Sequence, residues 1–145
     1  MFKTISIFMI SLATLFFSAG TLYAADGIGF AQAEEGTWYC LGDNPDTALN
    51  CARQKCQQEA GGQGCYRTRW CFGHGWSGMM TVSLTETHST EIICGAPSRK
   101  ALLTAFEAYC KGNEYARNCS VFLTIDPDGR EQEVHDNNIS GPAGN

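Results

Sequence analysis

The sequence predicts an α+β domain made of a duplicated ββαβ unit, with antiparallel sheet, two packed helices and disulfide staples. Three observations carry this reading. The chain has 145 residues and eight cysteines. A shift of 54 residues superimposes Cys40 on Cys94, Cys56 on Cys110 and Cys65 on Cys119 without a gap. The same shift matches apolar positions (Ile28 with Val82, Phe30 with Leu84, Trp38 with Ile92, Ala48 with Leu102) and sets Asn44 against Ser98, both good helix N-caps.

The elements follow in order. Residues 1–24 read as a secretory signal peptide: Lys3, an apolar run from Ile5 to Phe17, then neutral residues up to Leu22-Tyr23-Ala24. A single disulfide-rich domain is expected over 25–134, with halves 27–80 and 81–134, and the polar tail 135–145 is expected to be disordered. Gly27–Ala33 and Thr37–Leu41 alternate as strands about the Glu34-Glu35-Gly36 turn, and Thr81–Thr87 and Thr90–Gly95 are their counterparts. A helix follows each cap. Leu102, Ala105, Phe106 and Tyr109 form an apolar stripe in the second; Ala48, Cys51, Ala52 and Lys55 form a thinner one in the first. Glycines at 61, 62 and 64, and Gly112 in the second half, end the helices. A strand then starts at each following cysteine, Cys65–Phe72 and Cys119–Ile125. Asp126-Pro127-Asp128-Gly129 reads as a hairpin turn into Glu131-Gln132-Glu133-Val134.

All eight cysteines (Cys40, Cys51, Cys56, Cys65, Cys71, Cys94, Cys110, Cys119) lie beyond the signal peptide, and an even count in an exported chain reads as a disulfide framework. No C-x-x-C pair supports metal binding. Four pairs admit about 105 connectivities, and the repeat narrows them. Cys56–Cys65 and Cys110–Cys119 would each tie a helix end to the next strand. Cys51 and Cys71 align with Ala105 and Ile125, so a bond between them would replace an apolar contact. Cys40–Cys94 would then join equivalent positions across a pseudo-two-fold axis.

The Ala-rich helix ending in Cys, the Gly-containing link and the Cys that opens a strand resemble the bacterial domain of unknown function 4189 family. The residues concerned are Ala48 to Cys56, then Gly61-Gly62-Gln63-Gly64-Cys65, and in the second copy Ala101 to Cys110, then Asn118-Cys119-Ser120-Val121. The opening Gly27-Ile28-Gly29-Phe30-Ala31 is similar to the first strand of many members. The chain departs in its extra cysteines and over 73–93. The resemblance implies an exported protein and brings no catalytic residues with it.

Without Lys3 the mature chain has 9 basic against 15 acidic residues, formally −6, which argues against nucleic acid or anionic membrane as partner. No later apolar stretch is long enough to span a bilayer, so the chain is placed in the periplasm or outside the cell. No cofactor or metal site is expected. Gly75-Trp76-Ser77-Gly78 misses the nucleophile-elbow spacing. His74, His88 and His135 show no ligand spacing. Asp126-Pro127-Asp128-Gly129 lacks the remaining ligands of a calcium loop.

One strand stands out. In Tyr66-Arg67-Thr68-Arg69-Trp70 strict alternation would put Arg67 and Arg69 on one face and Tyr66, Thr68 and Trp70 on the other. The glycine- and aromatic-rich Phe72-Gly73-His74-Gly75-Trp76 follows at once. Arg and aromatic residues dominate binding hot spots, so the candidate binding residues are Arg67, Arg69, Trp70, His74 and Trp76. The blander reading pairs both arginines with acidic neighbours and buries the tryptophans. The expected function is an exported, disulfide-stabilised protein-binding module of the inhibitor or immunity type, its partner another envelope or secreted protein. The alternatives are a small secreted hydrolase acting on envelope polymers, through His74 or an unrecognised carboxylate, and a structural envelope component.

Overall fold

A computed structural model describes residues 25–61, 64–73, 75–134 and 137–144; the segment read as a signal peptide lies outside the described residues. The elements are β1 (Gly27–Ala33), β2 (Gly36–Gly42), α1 (Pro45–Glu59), β3 (Tyr66–Phe72), β4 (Trp76–Ser83), β5 (His88–Ala96), α2 (Arg99–Gly112), β6 (Asn118–Ile125), β7 (Glu131–Glu133) and β8 (Asn138–Ser140). Both caps form as expected. Asn44 accepts from the Thr47 amide at 2.9 Å, and Ser98 accepts from the Ala101 amide at 3.1 Å, satisfying a donor that each helix leaves open.

The fold is α+β, with two antiparallel sheets rather than one. Their strand orders are β2-β1-β3 and β5-β4-β6-β7, with β8 also on β6. The strand after each helix returns to its own hairpin, so neither sheet extends into the other. Each sheet holds one helix on its outer face, and the inner faces meet. Along β1 the period-two alternation does the sorting. Ile28 and Phe30 join Met79, Ile92 and Ile125 between the sheets, whereas Ala31 packs with Cys40, Ala52 and Cys56 under α1. Met80, Val82 and Val121 pack with Leu102, Phe106 and Cys110 under α2. Tyr109, placed by its spacing in the α2 stripe, is 39% exposed, and Cys110 takes the buried place. Two glycines let the helices sit close. A Cβ on Gly29 would lie 2.7 Å from the Leu49 amide, and one on Gly78 would lie 3.1 Å from Leu102 and 3.0 Å from Phe106.

The gapless repeat breaks in the hairpins. Gly29 pairs with Cys40, eleven residues on; Gly78, likewise under a helix, pairs with Ile93, fifteen on. The second hairpin is longer, so β4 starts at Trp76 and not Thr81, and the Ile28–Val82 and Phe30–Leu84 correspondences lapse. A second irregularity matters more. The β4–β5 register shifts between Trp76 and Gly78, with Gly95 at φ 80°. This bulge adds one residue and reverses the faces beyond it. Ile93 thereby faces α2 as Cys40 faces α1, and Cys94 turns to the inner face.

That reversal decides the disulfides. Cys56–Cys65 and Cys110–Cys119 form as expected, with Cα separations of 6.0 and 6.1 Å. The expected Cys51–Cys71 and Cys40–Cys94 bonds are replaced by Cys40–Cys51, at 5.9 Å, and Cys71–Cys94, at 6.1 Å. Cys40 faces α1 and finds Cys51 there. Cys71, opposite Ile28 in β1, faces the other sheet and finds Cys94. All eight cysteines are paired, which places the chain in an oxidising compartment.

The Asp126–Gly129 turn forms as read. Asp126 Oδ1 accepts from the amides of Asp128 and Arg130, and Gly129 takes φ 83°. The tail, expected to be disordered, departs from that reading: β8 pairs with β6 through Ile139 opposite Cys119, and a 3-10 turn follows over Pro142–Gly144. A half-buried Ile139 packed against the α2 core supplies the reason. No helix among the described residues is long and apolar enough to cross a membrane.

Candidate functional site

β3 is an edge strand, and a bulge determines what it displays. Its register against β1 shifts between Phe30 and Ala31, so Arg69 lies opposite Phe30 while Arg67 lies opposite Ala31. The two arginines therefore leave the strand on opposite faces, contrary to simple alternation. Arg67 stays on the α1 side, half-exposed, and reaches Asp46 of the first helical turn at 3.5 Å. Such an exposed pair contributes little stability.

Arg69 crosses to the second sheet, where Nη1 donates to the Ile92 carbonyl of β5. Two residues earlier the Thr90 carbonyl accepts from Gln32 Nε2 at 3.3 Å. β5 is an edge strand, so these carbonyls point away from β4 and would otherwise need water. Arg69 and Gln32 close that edge, and Cys71–Cys94 staples it. Glu91 and Tyr109 lie beside Arg69. Partial burial and a hydrogen bond to Glu91 raise the Tyr109 phenol above its ordinary value, while Arg69 opposes the shift. We expect Arg69→Ala to lower unfolding free energy by about 1–2 kcal/mol, since a charged donor is lost from a part-buried carbonyl. Urea denaturation checks this; unchanged stability would show that the edge bond is dispensable.

The tryptophans are framework. Trp70 is half-buried with its ring over Gly27, where a Cβ would come within 2.6 Å of it. Trp76 packs, half-buried, against the α2 core. The structure thus disperses Arg67, Arg69, Trp70 and Trp76 rather than gathering them, and His74 lies outside the described residues. What β3 does expose is Tyr66, at 58%, and Phe72, at 79%. Alternation alone does not say which strand end is left uncovered, so nothing in the sequence marks Phe72 as a candidate.

The opposite side of the sandwich is open. A cleft of about 300 Å³ lies there, lined by Trp38, Tyr39, Lys55, Glu59, Met79 and Glu131, among others. Trp38 Nε1 donates to Glu59 at 2.6 Å, and Tyr39 Oη donates to Glu131 at 2.7 Å. Lys55 donates to the Tyr39 carbonyl at 3.2 Å and rides 5.7 Å over its ring. Burial, then the bond to Glu131 and its charge, push the Tyr39 phenol far above its ordinary value, so it stays a donor in any physiological medium. These residues come from β2, α1, β4 and β7, too far apart in sequence for any motif. A larger cleft, of about 620 Å³, separates α2 from β8 and is lined by Arg99, Lys100 and Lys111 with one acidic residue, Glu107. No group of three or more metal-ligating side chains occurs among the described residues. In comparisons with known proteins, no family model, no curated protein and no solved structure matches this chain.

Proposed function

We propose that the chain is an exported protein-binding module of the inhibitor or immunity type, related to the domain of unknown function 4189 family, and that it arose by duplication of a ββαβ unit. The duplication is supported by the matching strand orders β2-β1-β3 and β5-β4-β6. It is supported too by bulges at corresponding places, after Phe30 in β1 and after Met79 in β4. The single observation that carries the binding reading is a scaffold stapled at four points with an edge strand that leaves Tyr66 exposed at one end, next to Arg67, and Phe72 exposed at the other. A preordered surface loses little conformational entropy on association, and aromatic and Arg side chains are the anchors that protein interfaces favour. Arg69 ties this strand to the β5 edge, and Trp70 covers Gly27 of β1. The partner is another envelope or secreted protein.

The test is affinity capture with the oxidised chain 25–145 against envelope and secreted fractions of its own host. A stoichiometric partner is expected, and replacing Tyr66, Arg67 and Phe72 together with Ala should weaken its binding at least tenfold with little change in melting temperature. A partner held equally well by that variant would overturn the β3 assignment. The open cleft favours one second reading, a hydrolase of envelope polymers, because Glu59 and Glu131 enter it from α1 and β7 as two carboxylates flanking one concavity. Turnover of cell-wall polymer separates the two readings.

A further inference from the structure

The cleft between α2 and β8 has a character unlike the rest of this acidic chain. Of the nine basic residues after Lys3, three (Arg99, Lys100 and Lys111) line it. Lys111 is paired with Glu107 at i,i+4. Arg99 donates Nε to the Thr124 hydroxyl at 3.3 Å, and neither it nor Lys100 has an acidic partner among the described residues. Leu103 and Ile139 give the cleft an apolar floor.

The opposite wall is a strand edge. β8 pairs with β6 and with no other strand among the described residues. The Gly141 amide donates to the Arg117 carbonyl at 3.0 Å in the same register, which makes Ile139 the hydrogen-bonded partner of Cys119. A residue in an antiparallel ladder offers its amide and carbonyl to the same side and successive residues alternate, so Asn138 and Ser140 turn theirs to the free edge. Lys100 and Lys111 are eleven residues apart on α2, about 16 Å along the helix axis. Extended chain covers that span in about five residues.

We propose that this cleft binds an extended acidic segment of a protein partner, laid against the free edge of β8 with its carboxylates toward Lys100, Arg99 and Lys111. Main-chain bonds to a strand edge supply affinity, and the alternate side chains supply selectivity: apolar inward, acidic toward the helix. The site is separate from the exposed face of β3.

The experiment uses oxidised chain 25–145 and a fluorescein-labelled, acetylated heptapeptide of alternating Glu and Val, with the Gln-for-Glu peptide and inorganic phosphate as comparators. Saturable binding is expected, weakened at least tenfold by Lys100→Glu with Lys111→Glu and untouched by the Tyr66, Arg67 and Phe72 replacements. Amide shifts should move at Asn138 and Ser140. Both lysines are exposed, so the charge reversal leaves folding intact. Equal binding of the Gln peptide, or binding unaffected by the charge reversal, would overturn the proposal. So would full competition by phosphate at equal charge with no shift at β8, which would leave a bare anion site. These outcomes are read without the natural partner, so they stand whether or not the β3 assignment does.

Discussion

Phe30→Ala should lower the unfolding free energy by about 3–5 kcal/mol, the range for deleting a fully buried aromatic ring. Phe30 is completely buried and sits where the two sheets meet, with Ile28, Met79, Ile92 and Ile125 around it. The surroundings can relax little: Arg69 holds the β3–β5 side and Cys71–Cys94 fixes the spacing of the sheets. A cavity therefore remains, and the lost ring contacts are not recovered. Small domains have only about 5–15 kcal/mol in total, so the variant should be close to the folding threshold at 37 °C. Urea denaturation of the oxidised chain measures it. A loss below about 1 kcal/mol would mean that the sheets close over the gap and that the junction is softer than its packing implies. Phe106→Ala under α2 provides the comparison, because that ring is also fully buried but lies on the other side of the second sheet.

The second large effect concerns the bond between the sheets. Replacing Cys71 and Cys94 together with Ala should lower stability by about 3 kcal/mol, the loop-closure value for cysteines 23 residues apart. The other three bonds lie within one half each: Cys40 and Cys51 are 11 residues apart, and the two helix-end pairs are 9 apart. Only Cys71–Cys94 joins the first sheet to the second. Its removal should therefore also loosen Arg69 and Gln32 from the β5 edge, seen as faster amide exchange in β3 and β5 with α1 and α2 protected as before. Non-reducing peptide mapping is the direct check on connectivity. A Cys40–Cys94 or Cys51–Cys71 peptide would overturn the arrangement of the two sheets, since Cys40 faces α1 and Cys71 faces the opposite sheet.

Much of the fold is legible one residue at a time. Asn44 and Ser98 act as caps because a short side-chain oxygen meets an amide three residues on. Gly27–Ala33 is a strand with the bounds its alternation predicts, and Asp126–Gly129 turns because Asp126 can accept from the following amides. The helix-end disulfides follow for the same reason: nine residues of chain bring the ends together whatever surrounds them. The binding residues were less legible. Strict alternation placed Arg67 and Arg69 together, and the bulge at Phe30–Ala31 parts them. One arginine becomes a clamp on β5; the other remains on the surface.

Local rules reach only as far as a turn of helix or a pair of strand residues, and within that range the chain dictates its own caps, strands, turns and short disulfide loops. Faces are another matter. A single added residue, at Gly95 or in β3, reverses every side chain beyond it, and nothing in the local propensity marks where it enters. Its position is set by what must pack: Gly29 and Gly78 beneath the helices, Phe30 and Met79 between the sheets. The pairing of Cys40 with Cys51, the meeting of Cys71 with Cys94, and the clefts beside β2 and β8 all follow from that packing, because each joins residues that only the burial of apolar surface brings together.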